Sequence, residues 1–185
     1  MGKPVEKLDY EKRYQSGRWN LVLLSALTVI NIFIVLFVGD NYYIAAASVP
    51  LYLVSLGRIL CGKMPNEFYV GKWANVEFMD DYFLFIMIAV AVVIIGIYVL
   101  LWFLSKKHVA FLIAGLVLVV IDTVFMFFVY DFSFNVLMDY AIHALMIIMM
   151  IMGIHSGFKL KKIRADEEAF MAAVNKTNRD MFNRR

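Results

Sequence analysis

This chain has little of what soluble domains depend on: one cysteine, three prolines and few charged residues. Because Cys61 has no second cysteine to pair with, an intrachain disulfide is excluded. Charged residues make up 18% of the 185 residues, against about 25% in typical soluble domains, and apolar residues make up 63%, against about 45–50%. The composition therefore excludes a disulfide-stapled scaffold and indicates a protein whose solvent is mostly lipid.

The sequence also lacks the short motifs of common enzymes. It has no phosphate-binding loop, dinucleotide fingerprint, serine-hydrolase elbow or zinc-protease helix with two histidines. Its basic residues are not accompanied by a nucleic-acid-binding motif. We therefore expect neither a cofactor nor a nucleic-acid partner, and a non-enzymatic role is favoured over an enzymatic one.

Four long apolar stretches contain no Lys, Arg or Glu. They are Trp19–Val38, Tyr82–Leu104, Val109–Tyr130 and Val136–Ile154. Each is long enough to cross the ~30 Å hydrocarbon core of a bilayer as a helix that rises 1.5 Å per residue. The sequence therefore predicts an all-α membrane protein with a bundle of four transmembrane helices.

A fifth apolar segment, Tyr42–Leu60, is weaker because it contains Pro50 and ends near Arg58. Pro50 removes a backbone donor and is expected to kink or break a helix. The segment either crosses the membrane, which would give five transmembrane helices, or forms a shorter re-entrant or interfacial helix.

The distribution of Lys and Arg decides between the two topologies. With a cytoplasmic N-terminus and four spans, 15 of these residues lie on the cytoplasmic side and three on the outer side. With five spans, eight lie on the cytoplasmic side and ten on the outer side. We therefore predict four spans plus one shorter helix, with both termini cytoplasmic.

The predicted organisation is a cytoplasmic segment 1–18, a transmembrane bundle 19–157 with an outer loop 61–81, and a cytoplasmic, amphipathic, basic tail 158–185. Four basic residues of the tail lie at the predicted membrane edge: Lys159, Lys161, Lys162 and Arg164. Basic side chains in this position attract anionic lipids. We expect the four to contact lipid headgroups and anchor the topology, with docking of a partner as the alternative.

Ionisable residues are rare inside transmembrane helices and usually face the bundle interior. Here they are Asp122, Asp139 and His143, joined by the amide of Asn31. Asp122 and His143 are equally far from the turn predicted near Asp131–Phe134, so a tight hairpin places them at one depth. Asp139 shares a helix face with His143 but lies nearer the outer surface, where water could reach it.

This polar layer of Asn31, Asp122, Asp139 and His143 is compatible with three roles. Polar side chains can hydrogen-bond between helices, at about 0.6 kcal/mol each in membranes. An Asp–His pair can also relay protons, because histidine titrates near neutral pH. Carboxylates and imidazole can ligate a metal, but Asp122, Asp139 and His143 match no zinc motif and are only weak candidates.

Six groups of residues between about Arg18 and Ile163 carry a family resemblance. They are Arg18-Trp19-Asn20-Leu21, Leu60-Cys61-Gly62-Lys63, Ser105-Lys106-Lys107-His108, Ile121-Asp122-Thr123, Asp139 with His143 before Met152-Gly153-Ile154, and Lys159-Leu160-Lys161-Lys162. The chain resembles an uncharacterised family of multi-pass membrane proteins from Gram-positive, often anaerobic, bacteria. The resemblance implies a location in the bacterial cytoplasmic (inner) membrane. The family has no assigned activity, so no functional residues carry over.

The leading functional hypothesis is a non-enzymatic interaction protein, such as an accessory subunit of a membrane assembly. Little of the chain lies outside the predicted bundle, and its partners would be the bilayer and another membrane protein or a second copy of itself. The first alternative is a small transporter or proton-coupled component that uses Asp122 and His143. The second alternative is an intramembrane metalloenzyme.

Overall fold

The computed structural model describes residues 4–38, 46–70, 73–129 and 134–182. Within these ranges it contains five α-helices, one 3₁₀ helix at Asn66–Tyr69 and no β-strand, which confirms the all-α prediction. The α-helices are α1 (Pro4–Phe37), α2 (Ser48–Leu60), α3 (Asp81–Leu104), α4 (Val109–Val129) and α5 (Phe134–Phe182). Most of the turn predicted at Asp131–Phe134, and residues 42–45 of the weaker apolar segment, lie outside the described residues.

Four of these helices, α1, α3, α4 and α5, are long and apolar enough to cross a membrane. The 13 residues of α2 rise only about 20 Å, which is shorter than the ~30 Å hydrocarbon core. The prediction of four spans plus one shorter helix is therefore confirmed. α1 and α5 continue well past the apolar runs, because charged residues end an apolar run without ending a helix.

α1 and α5 pack antiparallel, with Gly17 directly against Gly153. A Cβ added to either glycine would lie 3.0 Å from the Cα of the other, so the two backbones are in contact. Further along, the Lys7 ammonium lies 2.8 Å from the Glu167 carboxylate. We call the end of the bundle at which Ser105 follows α3 the Ser105 end. The two helices thus extend together beyond this end. We call α1 residues 4–13 and α5 residues 158–182 the stalk.

α2 lies toward the opposite end of the bundle, which we call the Cys61 end, and runs antiparallel to the first half of α3. Its buried apolar face joins a core cluster with α1 and α3: Ile32, Val35, Ala46, Leu51, Val54, Ala91 and Ile95. At its C-terminus the Cys61 thiol donates to the carbonyl of Asp80, at 3.3 Å. Since α3 rises about 21 Å from Asp81 to Ile95, the start of α2 lies deep within the bundle. This makes α2 a re-entrant helix of the bundle rather than one lying across its end.

The two ends of α2 follow from its sequence. Pro50 is the third residue of the helix, where its missing N–H costs no intrahelical hydrogen bond, so it starts α2 instead of kinking it. At the other end Gly62 adopts a φ of +67°, which glycine tolerates best. The N–H of Gly62 bonds to the Ile59 carbonyl and that of Lys63 to the Arg58 carbonyl, which is a Schellman termination.

Candidate functional site

The first turn of α2 lies in the bundle interior, where its N–H groups need protein acceptors because water is excluded. Two side chains from neighbouring helices supply them. The bonds are Ala47 N–H to Thr28 Oγ1 (2.7 Å), Ser48 N–H to Asp122 Oδ2 (2.8 Å) and Val49 N–H to Asp122 Oδ1 (2.9 Å). Pro50 has no N–H to satisfy. Every free donor of this turn is therefore bound by α1 or α4.

Asp122 lies in the middle of α4 and is buried. A carboxylate inside a membrane bundle is costly unless its charge is compensated. Here the positive end of the α2 dipole points at it, and both oxygens accept backbone N–H groups in charge-assisted hydrogen bonds. Asp122 thus anchors the re-entrant helix, and the helix in turn stabilises the carboxylate.

Thr28 completes this cap from α1, a role that no sequence pattern indicated. Its hydroxyl donates to the Leu24 carbonyl of its own helix at 2.6 Å and accepts from Ala47 at 2.7 Å. Back-bonding to the fourth preceding carbonyl is common for Ser and Thr in helices. The second bond is tertiary, and it fixes the extended residue that precedes α2.

His143 lies beside Asp122, on α5. Its Nδ1 is 2.9 Å from the Asp139 carbonyl, and because a carbonyl only accepts, Nδ1 carries a hydrogen. Its Nε2 lies 3.5 Å from Asp122 Oδ2 and, among the described residues, has no hydrogen-bond partner. A neutral ring in this tautomer turns a lone pair toward a carboxylate, which is repulsive. A proton between Nε2 and Oδ2 makes the contact attractive, whichever atom carries it.

The other two residues of the predicted layer are also buried. Asn31 donates from Nδ2 to the Leu27 carbonyl at 2.8 Å, one turn beyond Thr28 on α1. Asp139, which we expected nearer the outer surface and open to water, is only 5% exposed and lies on the buried face of α5 that also carries His143. The structure therefore brings Asp122 and His143 together directly, while Asp139 meets His143 through its backbone carbonyl.

Asp122, Asp139 and His143 were considered as metal ligands, although no metal was predicted. Among the described residues, no three His, Cys, Asp or Glu side chains lie together as a set of metal ligands. Both oxygens of Asp122 are bound to the amides of α2, and the described contact of Asp139 with His143 uses the main chain.

A second buried polar cluster surrounds Arg18 at the Ser105 end, although the sequence indicated only a charge at the membrane edge. Arg18 is 4% exposed. Its guanidinium donates to three uncharged acceptors: Ser105 Oγ (2.9 Å), Gln15 Oε1 (2.8 Å) and the Trp102 carbonyl (3.1 Å). Its Cζ lies 5.9 Å from the ring centroids of Tyr14 and Trp102. The Tyr14 hydroxyl in turn donates to the Ser105 carbonyl, which ties α1 to the end of α3.

The four basic residues predicted to contact headgroups are all exposed on α5, but they do not share one face. Lys161 and Arg164 line a groove that also contains Arg18, and Lys159 and Lys162 are not part of its wall. The structure therefore divides this set into two pairs with different surroundings.

Comparisons of the chain with protein-family models, with curated proteins and with solved structures find no match in any of the three.

Proposed function

We propose that the protein is a non-enzymatic subunit of a membrane assembly, set in a bacterial cytoplasmic membrane with both termini in the cytoplasm. The distribution of Lys and Arg and the family resemblance support this location. One observation carries the proposed role: both oxygens of the central carboxylate, Asp122, are taken by the backbone of α2. The polar layer thus serves the architecture, and among the described residues the stalk offers an uncovered helical surface beyond the predicted spans.

The stalk surface continues an existing helix–helix contact. Along α5 a seam with alternating spacings of three and four residues runs through Leu160, Ile163, Glu167, Phe170 and Val174. Such spacing is typical of helices that pack side by side. Leu160 is buried and Glu167 pairs with Lys7 of α1, whereas the seam residues further along α5 are more exposed. Phe170 is 55% exposed and Val174 is 36% exposed. A helix from a partner subunit that extends the α1 packing would cover them.

Phe170→Glu is expected to abolish recovery of a partner chain that co-purifies with the protein in fixed ratio from native membranes. The reason is that a carboxylate buried in an apolar helix seam loses its hydration without gaining a partner. Ala172→Glu is the matched control, because it adds the same charge to the opposite face of the same exposed turn. Loss of the partner in both variants, or retention in both, would contradict docking on the seam.

A proton-coupled role is the second candidate, and the contact between His143 and Asp122 favours it. A buried imidazole whose Nε2 lies 3.5 Å from a carboxylate oxygen can exchange the proton held between them. Proton uptake into proteoliposomes that disappears with His143→Gln would support this role. Identical pH traces for wild type, variant and empty vesicles would leave the architectural role in place.

A further inference from the structure

A half-open groove of about 1100 Å³ lies at the Ser105 end, between α1, the first turns of α4 and the start of the stalk in α5. We call it the basic groove. Its wall contains two acidic side chains, Glu11 and Glu168, and six cationic ones: Lys12, Arg18, Lys106, Lys107, Lys161 and Arg164. The excess of positive charge makes the groove complementary to an anion.

Arg18 gives this groove a built component as well as a charged rim. It is almost completely buried, and its three acceptors Ser105, Gln15 and Trp102 are all uncharged. A buried cation surrounded by neutral groups is costly, and a guanidinium has five N–H donors, of which these bonds use three. An anion in the groove would compensate the charge and engage the remaining donors.

The start of α4 adds to the positive field of the groove. Val109 and Ala110, the first two residues of this 21-residue helix, line the wall. The N–H groups and the dipole at a helix N-terminus favour bound anions. The basic side chains and the helix terminus therefore act on the same region.

Towards the bundle the groove becomes apolar. Trp19, which is 56% exposed, and Ile113 line it there. Trp19 packs against Trp102 with ring centroids 5.7 Å apart, so its ring is held in place. Tryptophan favours the boundary between headgroups and acyl chains. A basic rim above an apolar wall matches an amphiphile with an anionic head and a hydrocarbon tail.

We propose that the basic groove binds one anionic phospholipid, with its phosphate beside Arg18, Lys161 and Arg164 and an acyl chain along Trp19 and Ile113. The proposal is independent of the partner on the stalk, because the groove lies on the bundle side of the exposed seam. Phosphate monoesters and diesters both present anionic phosphate oxygens to these basic side chains. A free phosphate is therefore the competing ligand for the groove.

The test uses the full-length protein in detergent, with phosphatidylglycerol as the probe and phosphatidylcholine as the neutral reference. Native mass spectrometry counts the lipids retained per chain. We expect one phosphatidylglycerol to be retained, and the variant Lys161→Gln/Arg164→Gln to weaken its binding about 30-fold. Lys159→Gln/Lys162→Gln removes the same charge from the same helix outside the groove, and its affinity is expected to stay within about twofold of wild type. All four side chains are exposed, so circular dichroism should show equal helix content in both variants.

Three outcomes would overturn the proposal. Equal weakening in the two double variants would mean a diffuse attraction of anionic lipid to the basic tail. Equal retention of phosphatidylcholine and phosphatidylglycerol would mean that the phosphate diester is recognised without regard to net charge. Displacement of the lipid by millimolar inorganic phosphate would assign the groove to a soluble anion.

Discussion

Asp122→Ala is expected to release the start of α2 from the bundle and to lower the free energy of unfolding by about 3–5 kcal/mol, as removal of one partner from a buried polar set typically does. The change leaves the N–H groups of Ser48 and Val49 without acceptors, and each unsatisfied buried donor costs about 1–3 kcal/mol. It also removes the carboxylate that His143 faces. Unfolding by SDS titration in mixed micelles, followed by circular dichroism, measures the loss.

A local readout separates release of α2 from general loosening of the fold. Cys61 directly follows α2 and is buried against the Asp80 carbonyl, and it is the one thiol of the chain. Release of α2 should raise its rate of maleimide labelling under conditions in which the protein remains folded. Thr123→Ala is the matched control: this neighbour of Asp122 bonds to the Val119 carbonyl of its own helix, and its loss should cost within about 0.5 kcal/mol. Unchanged labelling and stability in Asp122→Ala would show that the carboxylate does not hold α2.

Gly153→Leu should have the second-largest effect, a loss of about 3 kcal/mol or more, at or above the usual range for overpacking. A Cβ at this position lies 3.0 Å from the Gly17 Cα and 3.3 Å from the Arg13 carbonyl oxygen. These are backbone atoms, so they cannot turn away as a flexible side chain would, and α1 and α5 must separate. Small residues let membrane helices approach closely, and a leucine removes that possibility. The midpoint of thermal unfolding in detergent reports the loss.

Gly96→Leu is the control for the glycine contact. No described atom lies within 4 Å of a Cβ added at Gly96, which sits on the exposed face of α3. Because leucine is a better helix former than glycine by about 0.8 kcal/mol, this variant should be neutral or slightly more stable. If the variants at positions 153 and 96 unfold at the same temperature, the close contact between α1 and α5 does not exist in the membrane protein.

The spans were predictable because lipid imposes a simple demand: about 20 consecutive apolar residues for each crossing. The segment Tyr42–Leu60 meets that demand by composition, and only the distribution of Lys and Arg indicated that it does not cross. The actual start of α2 was not predictable. It is fixed by hydrogen bonds from its first amides to Thr28 and Asp122, which lie 19 and more than 70 residues away in the sequence.

The candidate site was predictable to a similar degree. Hairpin geometry places Asp122 and His143 at one depth, and in the structure 3.5 Å separates Nε2 from Oδ2. The role of Thr28 was hidden because its partner is a backbone amide, which leaves no trace in side-chain patterns. The burial of Arg18 was hidden for a related reason, since its acceptors Ser105 and Trp102 come from the far end of α3.

The position of α2 relative to the membrane is the central claim, and cysteine accessibility in intact cells tests it most directly. In a Cys61→Ser background, Glu77→Cys places a thiol in the exposed loop between α2 and α3, and Asp9→Cys places one on the α1 part of the stalk. With four spans and a re-entrant α2, only α1 crosses between these two positions, so a membrane-impermeant maleimide should label position 77 in intact cells and position 9 only after permeabilisation. If α2 also crossed, positions 9 and 77 would lie on one side of the membrane and would be labelled under the same condition. That result would contradict the re-entrant position of α2 and the anchoring role of Asp122.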